Sequence, residues 1–194
     1  MMDMAQAGSN VSIALLHYPV YDKNRQVVAT AVTNLDIHDI ARAAKTFGLF
    51  RYYVVTPVVE QRDMAERIGR HWREGWGATY NPKRRAALEL MRVTASLEAA
   101  LDELEREFGA PAKVVVTGAG SRPGSISFAD FAQTIKDSAN PYLLVLGTGW
   151  GLTEEVFARA DVVLEPIRGM GDYNHLSVRS AASIILDRLL GQHE

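Results

Sequence analysis

Apolar residues along this chain fall into two alternating patterns. Short runs rich in β-branched and aromatic residues end at Gly or Pro. Between them lie stretches in which apolar positions recur every three or four residues. The first run, VSIALLHYPV from Val11 to Val20, ends at Pro19 and the turn-like YDKN, and predicts a buried strand. QVVATAV, Gln26 to Val32, is ambiguous between a strand end and an extended lead-in. In NLDIHDIARAAKTFG, Ile37, Ile40, Ala41, Ala44 and Phe47 share one helical face. Asn34 or Asp36 can cap that helix and Gly48 can stop it. FRYYVVTP reads as a strand closed by Pro57.

Val58 to Arg73 reads as a helix with a polar outer face. The glycines of REGWGATYNPKR should stop it from continuing, and ALELMRV suggests a short strand. SLEAALDELEREFG predicts a helix capped by Ser96, with Leu97, Leu101, Leu104 and Phe108 on one side and Gly109 as its stop. Then come strand KVVVTGAG, helix SFADFAQTIKDS, strand PYLLVLGTGWG, short helix TEEVFARA and strand DVVLEPI. A last helix is expected over roughly Leu176 to Leu190. Strands alternating with helices predict an α/β fold, with a parallel sheet covered on both faces. A frayed tail over residues 1–10 and a single domain over residues 11–194 is the simplest division.

Three strand ends are rich in glycine: VVVTGAGSRPG, LLVLGTGWGL and LEPIRGMGDYNH. One such end is an ordinary tight turn. Three in the second half of one sheet suggest a ligand site beyond the C-terminal edge, where open α/β sheets bind. The usual nucleotide motifs are absent. Gly118, Gly120 and Gly124 miss the GxGxxG spacing by one residue, and GTGWGLTEE has no P-loop lysine. There is no G-x-S-x-G elbow and no H-E-x-x-H helix. The five histidines show no metal-ligand spacing, and His71 reads as a surface or capping residue. No metal site is expected.

Composition narrows the setting. With no cysteine there is neither a disulfide framework nor a thiolate zinc site, and no apolar run approaches membrane-spanning length. A cytoplasmic protein without a membrane partner is the expectation. Net charge is −2, which excludes a globally basic surface. Locally, Gln61 to Arg92 holds eight Lys/Arg against four acids. There Trp72, Trp76 and Tyr80 interleave with Arg70, Arg73, Lys83, Arg84 and Arg85. Rings stack on unpaired bases and cations hold phosphates, so Arg73, Trp76, Lys83, Arg84 and Arg85 are candidate RNA contacts. The tryptophans can equally be core residues under a basic rim.

Three segments together resemble the SPOUT class of S-adenosylmethionine-dependent RNA methyltransferases, and in particular the bacterial tRNA guanine-N1-methyltransferase-like subfamily. They are DIARAAKTFGL, with Arg42 six residues before Gly48, then LLVLGTGWGLTEE, and HLSVRSAASIIL at the start of the last helix. HWREGWGATYNPKR is similar to a further segment of that subfamily. The resemblance implies a C-terminal deep trefoil knot, a homodimer with the site near its interface, and an RNA substrate, tRNA or rRNA. It also implies a bent S-adenosylmethionine held by the three loops. Carried over residue by residue, Gly147, Thr148, Gly149 and Gly151 would line one side, with Thr117, Gly118 and Leu146 as further cofactor candidates. Ile167, Gly169 and Gly171 would line the middle, and Leu176, Ser177 and Ala181 the other side.

In the same reading Arg42 is a candidate catalytic residue, orienting a phosphate or lowering the pKa of the attacking group. Asp172 is a candidate general base or, slightly favoured, a cap of the last helix. Asn174 and His175 share that ambiguity, while Glu154 and Glu155 suit the first turn of a helix structurally. The family's first motif often has Asn where this chain has Asp36, and ribose methyltransferases usually carry Asn where it has Ser177; both departures weaken a ribose 2′-O reading and leave the acceptor atom open. The competing readings are a non-catalytic S-adenosylmethionine- or nucleotide-binding protein with an RNA-binding or regulatory role, and an unrelated doubly wound nucleotide binder.

Overall fold

A computed structural model describes residues 10–192, so the expected tail lies almost wholly outside the described residues. The first apolar run is shorter than its hydrophobicity suggests. β1 spans Val11–Leu16, and β2 (Val20–Tyr21) resumes beyond His17 and Pro19. β2 pairs antiparallel with β3 (Val27–Val28), which settles the ambiguous segment as a small hairpin followed by an extended lead-in. α1 spans Asn34–Thr46, but neither expected residue caps it. The Thr33 hydroxyl does, accepting from the Asp36 amide at 3.1 Å, because Thr33 is the last residue with extended backbone.

β4 (Tyr52–Val55) and α2 (Val59–Arg73) follow as expected. α2 does stop at its glycine-rich border. Two short helices then form, α3 (Trp76–Tyr80) and α4 (Pro82–Leu88), the second started by Pro82 and capped by the Asn81 side chain. Ala87 and Leu88 therefore belong to a helix, and β5 begins only at Met91 (Met91–Thr94). α5 (Leu97–Phe108) has the expected Ser96 cap and left-handed Gly109 end. The remainder is β6 (Lys113–Val116), α6 (Phe128–Asp137), β7 (Tyr142–Gly147), α7 (Glu154–Ala158), β8 (Val162–Val163) and α8 (Val178–Leu190). β8 is far shorter than DVVLEPI suggests; Leu164 adds only one bridge, to Ile126.

Six strands form one parallel sheet in the order β5-β4-β1-β7-β6-β8. The chain runs outward from β1 through β4 to β5, crosses by way of α5 to β6, and returns to insert β7 beside β1. The direction of winding therefore reverses between β1 and β7, which places a crevice at their C-terminal ends. Alternation along the central strands feeds two cores. Ile13, Leu15, Tyr52, Val54, Leu144 and Leu146 pack under α1, α6 and α8. Ala14, Leu16, Tyr53, Val55, Leu143 and Val145 pack on the other side with Leu97 and Leu104 of α5 and Val156 of α7. Both faces are covered, as near-continuous apolar strands require.

Candidate functional site

At the switch point lies a cavity of about 750 Å³. It is walled by the loops after β6, β7 and β8, by the first turns of α8, and by the lead-in to α1. Of the residues assigned to a cofactor, Thr117, Gly118, Leu146, Gly147, Thr148, Gly149, Gly151, Ile167, Leu176, Ser177 and Ala181 all line it. Gly169 and Gly171 do not; they are exposed along the loop before α8.

Backbone shape makes much of this cavity. Gly149 has φ +59°, and a Cβ there would come within 2.8 Å of the Tyr21 carbonyl oxygen. That close approach exists because the hairpin is stitched to the glycine loop: Tyr21 N donates to the Gly151 carbonyl and Trp150 N to the Tyr21 carbonyl, both at 2.9 Å. Across the opening, Asn174 Nδ2 donates to the Ala119 carbonyl at 2.8 Å, and Arg168 bonds the Ser121 hydroxyl. Asn174 thus joins two of the three loops. Ser177 caps α8 by accepting from the Ser180 amide. Asp172 is exposed and lies outside that cap, because the capping position falls at the last extended residue before the helix.

One wall is completed by Thr30, Ala31, Thr33 and Asp36, of which only Asp36 entered the motif reading, and His17 lies buried behind Thr30. Thr148 binds back to the end of β1, its Oγ1 donating to the Leu16 carbonyl at 3.1 Å and its hydroxyl meeting that of Thr30. Thr30 in turn faces His17 Nδ1 at 3.2 Å, and its amide donates to the His17 carbonyl at 2.8 Å. His17 is fully buried. Burial lowers its pKa to about 4, against the opposing pull of the Asp36 carboxylate and the Ala31 backbone. The imidazole is therefore neutral at pH 7, and its Nε2 has no partner among the described residues. Asp36 is buried in the wall, accepting from Thr33 at 2.6 Å and from Arg179 at 2.9 Å. This pair ties α1 to α8. The available sequence signal was the position of Asp36, six residues before Arg42.

Arg42 is exposed on α1 and makes no hydrogen bond or ion pair among the described residues. Glu154 serves structurally at the start of α7, accepting two bonds from Arg122 at 2.7 and 2.8 Å, with Arg25 at 3.6 Å. The candidate RNA residues divide. Arg73 is engaged by Glu66 at 3.2 Å, and Arg85 by Glu89 at 3.1 Å. Lys83 is exposed, and Arg84 lies over the Trp72 ring at 4.6 Å. Trp72 packs partly on the core, whereas Trp76 is exposed and stacks on Tyr80 at 4.6 Å. Trp72 thus fits the core reading, while the Trp76 ring is left exposed. Among the described residues no group of three or more His, Cys, Asp or Glu is placed to hold a metal, and no helix is long and apolar enough to cross a membrane.

A parallel sheet with a glycine-walled cavity at its reversal point is the arrangement in which α/β proteins bind small molecules against backbone. More particularly, residues 10–191 match the model of a family described as SAM-dependent RNA methyltransferases, and the chain belongs to that family. It is 43% identical over 189 residues to the tRNA (guanine-N(1)-)-methyltransferase of Oleidesulfovibrio alaskensis, covering 97% of this chain but 44% of that protein. It is 38% identical to an uncharacterised protein of Aquifex aeolicus, covering 95% of this chain and 90% of that one. The chain thus spans less than half of the first relative and nearly all of the second. In fold it is similar to a putative methylase family protein from Neisseria gonorrhoeae, with TM-score 0.67 and 18% identity over 99% of this chain and 86% of that one. It is also similar to the SpoU methyltransferase AviRb of Streptomyces viridochromogenes in complex with AdoMet, with TM-score 0.60 and 18% identity over 94% of this chain and 57% of that one.

Proposed function

We propose that this chain is an S-adenosylmethionine-dependent RNA methyltransferase that modifies tRNA at a guanine base. The observation that carries the reading is the cavity at the strand-order reversal, formed by the three glycine-bearing loops of a chain that belongs to this family. The cavity suits the cofactor chemically. Leu146, Ile167, Leu176 and Ala181 offer an apolar slot for an adenine, while the Gly147–Gly151 backbone and the Thr148 and Ser177 side chains offer polar groups. Bound there, S-adenosylmethionine supplies an electrophilic methyl group on a sulfonium. The chain must align an acceptor in line with it and take up the acceptor's proton.

Two residues are free for that work. Arg42 has no counter-ion among the described residues, so its charge is available to a phosphate or to the negative charge that develops on a guanine as it loses its N1 proton. Asp172 is exposed in the loop beside the cavity and is the candidate base. Guanine, rather than ribose, is favoured by the name of the 43% identical relative and by Ser177 standing where ribose enzymes usually carry Asn, with Asp36 a second departure from the family's first motif. The C-terminal segment is read as a deep trefoil knot. The active form is read as a homodimer in the cytoplasm, with Arg42 reaching toward the partner's cavity.

The test is incubation with methyl-labelled S-adenosylmethionine and bulk bacterial tRNA, followed by digestion to nucleosides. Label in 1-methylguanosine supports the reading. Label in a 2′-O-methylnucleoside overturns the guanine assignment, and no label in tRNA overturns tRNA as substrate. Arg42→Ala is expected to lower turnover at least about tenfold with cofactor affinity within about twofold.

A further inference from the structure

A second depression of about 440 Å³ lies on the far side of α1 from the cofactor cavity, between α1, α2 and α4. Asn34 and His38 line it from α1, Arg67, His71 and Trp72 from α2, and Arg84 from α4. The first turns of α1 thus divide their work: Thr33 and Asp36 face the cavity, while Asn34 and His38 face this groove. Arg42 continues the stripe of Asn34 and His38 at four-residue spacing, so the groove runs toward the candidate catalytic arginine.

Its chemistry is aromatic and cationic. His38 and His71 each meet Trp72 edge to face, at 5.5 and 5.1 Å, and the Arg84 guanidinium lies above the indole at 4.6 Å. Gly77 permits this packing: a Cβ there would stand 2.7 Å from Trp72 Cε3 and 3.0 Å from His71 Nε2. Neither Arg67 nor Arg84 has a carboxylate partner among the described residues, unlike the nearby Arg73 and Arg85. Burial and the positive charges of Arg84 and Arg42 lower the His38 pKa, against Asp39. The groove is thus a positively charged place in which His38, set beside an indole, takes up a proton less readily than a free imidazole. A planar base suits the rings and a phosphate suits the unpaired guanidinium groups.

We infer that the α1–α2–α4 groove binds an unpaired nucleotide of the RNA other than the acceptor, with its base among His38, Trp72 and Arg84 and its phosphate on Arg67. This rests on the RNA methyltransferase reading. It adds a subsite on the opposite side of α1 from this chain's own cofactor cavity.

The test is fluorescence anisotropy with a labelled single-stranded 12-nucleotide RNA, a duplex of the same length, and an abasic strand of the same length. The expected order of affinity is single strand above both abasic strand and duplex. Arg67→Ala with Arg84→Ala should weaken single-strand binding about tenfold and flatten its salt dependence. A charge-matched control, Arg106→Ala with Lys136→Ala on other surfaces, should stay within about twofold. His38→Ala should narrow the difference between the base-bearing and abasic strands. Calorimetry with S-adenosylmethionine, unchanged in every variant, confirms that each is folded. Equal binding of the three RNAs, equal loss in the control, or no RNA binding by the parent chain overturns the inference. If tRNA methylation persists in the Arg67/Arg84 variant at the parent KM, the groove fails and the enzyme reading stands. If the parent chain neither binds S-adenosylmethionine nor methylates tRNA, the enzyme reading itself has failed.

Discussion

The two hollows on either side of α1 are built from different materials. The cavity at the ends of β6, β7 and β8 is largely shaped by backbone, with glycines where a Cβ would collide and short hydroxyl side chains tying loops to β1. The α1–α2–α4 groove is made of large side chains, namely two imidazoles, an indole and two guanidinium groups without carboxylate partners among the described residues. A backbone-walled site holds one ligand in one pose, because backbone cannot repack without moving strands. A side-chain groove on surface helices tolerates different bases, since every base has a face to stack. The difference suits a constant cofactor on one side and a variable polymer on the other.

The largest expected break in this contrast is acid, and it should fall on the cavity side. His17 is held near pKa 4, below the 6.5 of an exposed imidazole. Between those values the unfolded chain takes up a proton that the folded chain refuses, so stability falls as pH drops from 6.5 toward 4. The full shift corresponds to about 3 kcal/mol. Urea unfolding at pH 7 and pH 4.5 should show this loss, and His17→Gln should remove most of the difference between the two pH values.

Next in size is Gly149→Ala. The left-handed backbone and the 2.8 Å approach to the Tyr21 carbonyl predict about 2 kcal/mol of destabilisation and a weakened cofactor site. Single-strand RNA affinity should stay within about twofold. A smaller, opposite separation is expected of Gly77→Ala. Its new methyl meets side chains rather than backbone, so about 1 kcal/mol is lost, and RNA binding weakens while S-adenosylmethionine binding is kept. The smallest effect is that of Arg85→Ala, which removes an exposed ion pair with Glu89 on one helix face and should change stability by no more than about 0.5 kcal/mol. Thermal unfolding of the three variants, read beside both titrations, checks this order.

The same contrast explains what the sequence made legible. The strand–helix alternation, the Ser96 cap, the Gly109 stop and the three glycine-rich strand ends are local signals, and each appears in the fold. Eleven residues that the family resemblance implied line one cavity, because parallel strands bring their C-terminal ends to one edge. His17 and Thr30 carried no such signal, and Asp36 carried only its spacing to Arg42. Their place in the site depends on β7 inserting beside β1, a pairing of segments more than a hundred residues apart. The groove was half legible: an aromatic and basic stretch is visible between Arg70 and Arg85, but His38 joins it only through the packing of α1 on α2 and α4. Composition could not separate Arg84, which faces the groove, from Arg73 and Arg85, which are engaged by Glu66 and Glu89.

The central claim is that the backbone-walled cavity holds S-adenosylmethionine, and calorimetric titration of the purified chain tests it most directly, with ATP and NAD as controls. The account predicts saturable binding of S-adenosylmethionine alone, one per chain, at least tenfold weaker in Gly149→Ala. Binding of ATP or NAD in its place, or S-adenosylmethionine affinity untouched by that substitution, would contradict it.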